Sequence, residues 1–277
     1  MPCGHWKLLI LPAAALLLVA SPCVSFQTSK LTKIRTTSTR LAMTKQQQLK
    51  DDLVALASST SRGFSASRED RDEAKNIINQ LSKLSPTEEP AAAYYPTSSD
   101  AQATSEDVVP SLAGKWTLIY TDAPDITSLD APLSIQKLGR IGQECIPPLI
   151  KNVIEWKRPT WASALPFSGD EESRILQKVV TEGSSSPATN PTVDLKIVGL
   201  EITGSNGSME DTNQGLMKLL NGPAALFEEN PINLQGPLKG PFGRFEILYL
   251  DDEMRITKTY QGFYAVNVRQ EKDNEWF

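Results

Sequence analysis

From residue 111 onward the chain reads as strand after strand, with no crossover helix between them. Parallel strands need such crossovers, whereas antiparallel strands need only turns. In "GKWTLIYTD", residues 114–122, Trp116, Leu118 and Tyr120 share one face and Thr117, Ile119 and Thr121 the other. "PPLIKNVIEW" and "SRILQKVVTE" are less regular but rich enough in Val and Ile for strands. "TVDLKIVGLEIT" alternates through Val193, Leu195 and Ile197 and resumes on Leu200 and Ile202, and the change of phase across Gly199 predicts a bulge. The closing "GRFEILYLDDEMRITKTYQGFYAVNVRQ" holds three strand-like runs punctuated by "DDE" and "QG". Phe245, Ile247 and Tyr249 lie on one face, opposite Glu246, Leu248 and Leu250, so both faces carry apolar residues and the outer one needs a cover. About eight strands in roughly 165 residues predict a mainly β fold, an antiparallel β-barrel.

Upstream segments can supply the cover. "QQQLKDDLVALASS" places Leu49, Leu53, Leu56 and Ala57 at helical spacing, and "SRGF" interrupts it. A second helix opens on Ser67 as N-cap, with Glu69, Asp70, Asp72 and Glu73 near its positive end. Ala74, Ile77, Ile78, Leu81 and Leu84 then form a stripe that stops before Pro86. Residues 46–84 are thus N-terminal amphipathic helices, packed outside the barrel or across one end. Residues 85–110 hold four prolines, clustered Ser and Thr, and acidic residues without basic ones. That composition predicts a flexible linker before the barrel of residues 111–277, either separating the helices from it or looping between two parts of one domain.

The first 45 residues read as an address. Lys7, the apolar run "LLILPAAALLLVA" and the small residues of "SPCVSF" predict a signal peptide over 1–25. The run falls short of the roughly 20 apolar residues that span a bilayer, so a retained membrane helix is the weaker alternative. Residues 26–45 are rich in Ser, Thr, Lys and Arg, and no Asp or Glu precedes Asp51, which is the composition of a transit peptide. A secreted chain with a basic N-terminus is the competing reading. Loss of residues 1–45 would remove His5, Cys3 and Cys23 and leave Cys145 as the one cysteine and no histidine. Ser–His–Asp and Cys–His catalysis, His-bearing zinc sites and an internal disulfide then have no residues to use. Cys145 reads as a buried, inert thiol. Six basic residues leave with the same segment, taking the formal charge from −5 to about −11, which is the wrong sign for a nucleic-acid binder.

Three separated stretches carry a family resemblance. "SRGFSASREDRDEAKNIINQLSKLSPTEEP", "GKWTLIYTD" and "GRFEILYLDDEMRITKTYQGFYAVNVR", with "IGQECIPPLIKNVIEWKRP" between, resemble the plastid-lipid-associated proteins, or plastid fibrillins, in order over nearly all of residues 46–270. The longer, acidic linker departs from the family pattern. A signal peptide followed by a transit peptide, with Phe26 at the junction, resembles the targeting sequence of an alga with a secondary plastid. The resemblance implies a lipocalin-like barrel of about eight strands in the plastid (chloroplast), at plastoglobules, at thylakoids or in the stroma. It also implies binding or organisation of apolar lipids such as carotenoids, prenylquinones and acyl lipids, and it brings no catalytic residues, cofactor or metal.

A barrel of eight strands holds one small ligand or is filled by its own side chains. Trp116 in "GKW" resembles the lipocalin G-x-W, with Arg269 as the positional match for the arginine laid across it and Arg255 as the reserve; the resemblance implies that Trp116 and Arg269 form a barrel-end structural pair, with direct ligand contact as the alternative. Leu118, Tyr120, Phe245, Ile247 and Tyr249 are candidate walls of a lipid pocket, with an ordinary packed core as the alternative. Tyr120 and Tyr249 could offer hydroxyls at its mouth, and Arg255 could meet a carboxylate head group. Leu216, Met217, Leu219, Leu220, Leu226 and Phe227, within residues 207–231, are candidates for a lid or a membrane contact, or belong to a loop packed on the barrel. "DDE" at 251–253 reads as a solvated hairpin turn rather than a metal or acid–base cluster. These features leave three functions open: a lipid carrier, a coat protein of plastid lipid droplets without an internal ligand, and an accessory factor for a lipid-metabolic enzyme partner.

Overall fold

The computed structural model describes residues 45–96, 110–130, 136–157, 173–205, 223–236, 243–270 and 276–277. Eight antiparallel strands close into a barrel: β1 (Gly114–Thr121), β2 (Lys137–Ile146), β3 (Leu149–Lys157), β4 (Arg174–Ser184), β5 (Thr192–Ser205), β7 (Gly243–Leu250), β8 (Met254–Thr259) and β9 (Tyr264–Arg269). Pairing of β4 with β5 completes the ring. The extra strand β6 (Ile232–Gln235) lies beside the far half of β5. β5 is long enough to serve two neighbours: Thr192–Leu195 pairs with β7 and Gly199–Ile202 with β6.

Bulges decide which side chains point inward. The predicted break in β5 occurs where Ile197 and Gly199 pair with successive residues Thr181 and Val180, leaving Val198 as the extra residue. Two further bulges fall at Ile119 in β1 and Leu248 in β7. Each reverses the alternation, so Leu118 and Ile247 face the interior while Tyr120 and Tyr249 face outward.

Helices α1 (Lys45–Ser59) and α2 (Arg68–Leu81) cover that outer face. Leu49, Leu53, Ala57, Ala74, Ile77, Ile78 and Leu81 pack on Tyr120, Tyr249, Met254, Ile256, Tyr264 and Val266 in one core. Ser67 and Asp70 form a reciprocal capping box at the start of α2. The turn between the helices passes through Ser61, Arg62 and Gly63, all at positive φ, and the Thr121 amide donates to the Arg62 carbonyl, stitching turn to barrel. A Cβ at Gly63 would lie 2.1 Å from the Thr121 carbonyl oxygen, at φ +89°. Gly63→Ala is expected to cost about 2 kcal/mol in urea unfolding, from left-handed strain plus loss of this stitch. An unchanged midpoint would mean that the turn moves freely away from β1.

The structure corrects the linker expectation over residues 85–96. Thr87 donates to the Leu250 carbonyl, the Ala91 amide to Asn190, and Tyr94 to the Leu149 carbonyl, while the Ser185 amide donates to the Tyr94 carbonyl. Buried Ala91 and Tyr94 join the inner core at that barrel end. The segment is a strap, because Ala91, Ala93 and Tyr94 provide apolar surface that its proline-rich composition hides. Residues 97–109 lie outside the described residues.

Candidate functional site

The strap end of the barrel is closed. Trp116 is fully buried and donates from Nε1 to the Leu112 carbonyl at 2.9 Å. Arg269 lies 4.1 Å from the ring centroid and donates to the carbonyls of Ser111, Ala113 and Asp252. Arg255 lies 4.9 Å from the same centroid, so two guanidinium groups share one indole. Cys145, Ile150, Val193, Phe245, Ile247 and Leu250 complete this floor.

Above the floor, the interior has two unlike halves. Along β1–β3, Leu118, Leu138, Ile141 and Ile154 pack with Leu129, which follows the single turn α3 (Pro124–Thr127), so this half is filled. Along β4 and β5 the inward row is identified by Gly183, where a Cβ would sit 2.8 Å from the Tyr94 ring and 3.2 Å from Ile150. Thr181, Val179 and Gln177 continue that row, facing Ile197, Leu200 and Ile202. Val179, Leu195, Ile197, Leu200 and Ile202 are only half-buried. At the rim, Gly204 pairs with Ile175, and a Cβ on Gly204 would lie 1.8 Å from the Ala224 carbonyl oxygen. Helix α4 (Pro223–Glu229) therefore crosses the inner side of β5 at the mouth.

Polar groups gather at mid-height. Gln143 donates to Asn152 and accepts from Arg255, and buried Asn267 lies beside Arg255 in the β8–β9 register. Burial pushes the Arg255 guanidinium below its usual pKa. The sequence singled out Arg255 but missed Gln143, Asn152 and Asn267, which alternation alone assigns to the inner face. The β5 alternation is legible in the sequence, but it does not by itself assign Leu195, Ile197, Leu200 and Ile202 to the site.

Of the expected pocket wall, Leu118, Phe245, Ile247 and Arg255 face the interior. Tyr120 and Tyr249 do not: they lie beneath the helices, and the Tyr249 hydroxyl donates to Asp251 and accepts from Gln46. Burial pushes both phenols up to about 12, Tyr249 with help from its hydrogen bond to Asp251. Asp251 also departs from the solvated-turn expectation, being held by Lys50 at 2.9 Å. Among the lid candidates, Leu226 on α4 is exposed and Phe227 half-buried; Leu216, Met217, Leu219 and Leu220 lie outside the described residues.

On the outer face of β3, buried Glu155 is ringed by Arg140 at 3.2 Å and by Lys157 and Arg174 at 3.7 Å. Burial would raise its carboxyl, but the Arg140 contacts outweigh this and hold it below the usual glutamate range. Among the described residues no group of three or more His, Cys, Asp or Glu is placed to hold a metal ion, and no helix is long and apolar enough to cross a membrane.

The family model described as PAP_fibrillin matches residues 47–267. The probable plastid-lipid-associated protein 3, chloroplastic, of Oryza sativa subsp. japonica is 27% identical over 237 residues, covering 79% of this chain and 58% of that protein. The chain thus spans little more than half the length of that relative. The family match runs from α1 into the last barrel strand, well over half of the chain, and the protein belongs to the PAP/fibrillin family.

Proposed function

We propose that this protein is a plastid lipid-binding protein that takes an apolar lipid into the β4–β5 half of its barrel, at a plastoglobule or thylakoid surface. The observation that carries the reading is the contrast in burial within one interior. Ile150 and Val193 at the floor are 0% exposed, whereas the inward Val179, Leu195, Ile197, Leu200 and Ile202 remain half-buried. A barrel filled by its own side chains would bury that row as well. The apolar walls suit an isoprenoid or acyl chain. The family, the relative's name and the address-like N-terminus support the plastid as the place.

A coat role without internal ligand draws on a different observation. Leu226 on α4 and Ile232 and Leu234 on β6 are 46%, 37% and 50% exposed, beside the mouth. They offer apolar contact to a droplet surface. Native mass spectrometry of the protein incubated with plastid lipid extract separates the two readings. A one-to-one lipid adduct is expected, and Val179→Trp, which keeps a strand-forming residue and occupies the half-buried space, is expected to abolish it. Flotation with droplets, without an adduct, would replace the carrier reading by the coat reading.

A further inference from the structure

Arg255 is a buried cation without an anion. Its side chain starts on β8 and reaches across the interior to β2, where Nη2 donates to Gln143 Oε1 at 2.6 Å and Nη1 lies 3.4 Å from Cys145 Sγ. Nε is buried and has no acceptor. Its other neighbours include Tyr94 of the strap, Asn267 beside it on β9, the Trp116 ring and a second cation, Arg269, over the same ring. No described carboxylate forms an ion pair with it, although Lys50, Arg140, Lys151, Lys157, Arg174 and Arg244 all contact carboxylates, which shows how readily this chain pairs its cations. A guanidinium keeps its proton even when burial lowers its pKa, so a full positive charge sits in a water-poor interior. Such a charge is costly unless something arrives to pair with it.

We infer that the interior takes a long-chain carboxylic acid head-inward, its carboxylate on Arg255 and its chain along the half-buried β4–β5 row. The inference rests on the lipid-binding reading and narrows it to a ligand class. A carboxylate matches the charge of one guanidinium and can accept two of its hydrogen bonds. The amides of Gln143 and Asn152 lie within the same polar layer. A phosphate or diphosphate head would bring more negative charge than Arg255 with neutral amides can offset, since Arg269 is engaged by the carbonyls of Ser111, Ala113 and Asp252. A carotene or quinone would leave Arg255 unpaired. The apolar residues Ile197, Leu200 and Ile202 then follow toward the mouth, where a hydrocarbon chain needs no polar partners.

The test is competition between oleic acid and its methyl ester for the purified protein, read by native mass spectrometry, with β-carotene as a neutral third probe. The acid is expected to outcompete the ester by at least tenfold. Arg255→Met is expected to erase that preference while still taking the ester, and Arg255→Lys to restore part of it. In the absence of lipid, Arg255→Met should melt at or above the wild-type temperature, because it removes an uncompensated buried charge. Equal binding of acid and ester by the wild type, or a preference that survives in Arg255→Met, overturns the carboxylate site and leaves lipid binding standing. Binding of none of the three probes overturns lipid binding itself. The wild-type comparison decides the matter even if the methionine variant does not fold.

Discussion

Trp116→Ala is expected to lower the stability of the protein by about 4 kcal/mol, a large part of the 5–15 kcal/mol that holds a typical domain together. Three losses combine at this position. The ring is fully buried among Leu112, Cys145, Phe245 and Leu250, so its removal leaves a cavity at the closed end. The Leu112 carbonyl loses the indole donor. Arg255 and Arg269 both lose the aromatic ring that each contacts. Trp116→Phe keeps most of the ring and is expected to cost only about half as much. Urea unfolding checks both variants. A Trp116→Ala midpoint corresponding to less than about 1 kcal/mol would mean that the strap and Leu112 close the barrel without the indole.

Much of this arrangement was legible in the sequence, and the failures have a common cause. Ser67 is legible as a cap because that signal is local, whereas the pairing of Trp116 with Arg269, on the first and last strands, is legible only through the resemblance to the lipocalin G-x-W. Alternation read straight through Ile119 and Leu248 puts Tyr120 and Tyr249 in the interior. Both bulged residues are apolar, so no break in pattern marks them. The β5 bulge was visible because Gly199 interrupts an otherwise clean alternation. A bulge with a glycine beside it leaves a trace that a bulge among large apolar residues does not. The strap at 85–96 is illegible for another reason: its partners Asn190, Leu149 and Leu250 lie 55 to 163 residues away in the chain. The polar layer around Arg255 joins β2, β3, β8 and β9, and only barrel closure brings those strands to one place.

The junction between helices and barrel has its own charged anchor, and Lys50→Met is expected to remove about 3 kcal/mol at neutral pH. Lys50 lies almost wholly buried between Asp251 at 2.9 Å and Glu253 at 2.6 Å. Asp251 in turn accepts from the amides of Glu253 and Met254, which close the β7–β8 turn, and from Tyr249, which Gln46 also contacts. Methionine keeps the length of the side chain but strands the half-buried Asp251 carboxylate. Burial pushes that carboxyl up, yet the bonds from Tyr249, Lys50 and the two amides outweigh it and hold its pKa below the usual aspartate range. Burial likewise pushes Lys50 down, but Glu253 and Asp251 outweigh it and raise its pKa above the usual lysine value. The depressed Asp251 contributes stability present above about pH 4 and lost as pH falls through its folded value. The raised Lys50 contributes stability present below about pH 10 and lost as pH rises through its folded value. The gap between wild type and Lys50→Met should therefore hold steady from about pH 5 to 9 and narrow toward pH 2, where the carboxyl is protonated in both proteins. Urea midpoints at pH 7 and pH 2.5 measure it. An equal gap at both values would assign the loss to the packing of the lysine stem on the barrel, and the ion pair would then contribute nothing to docking the helices.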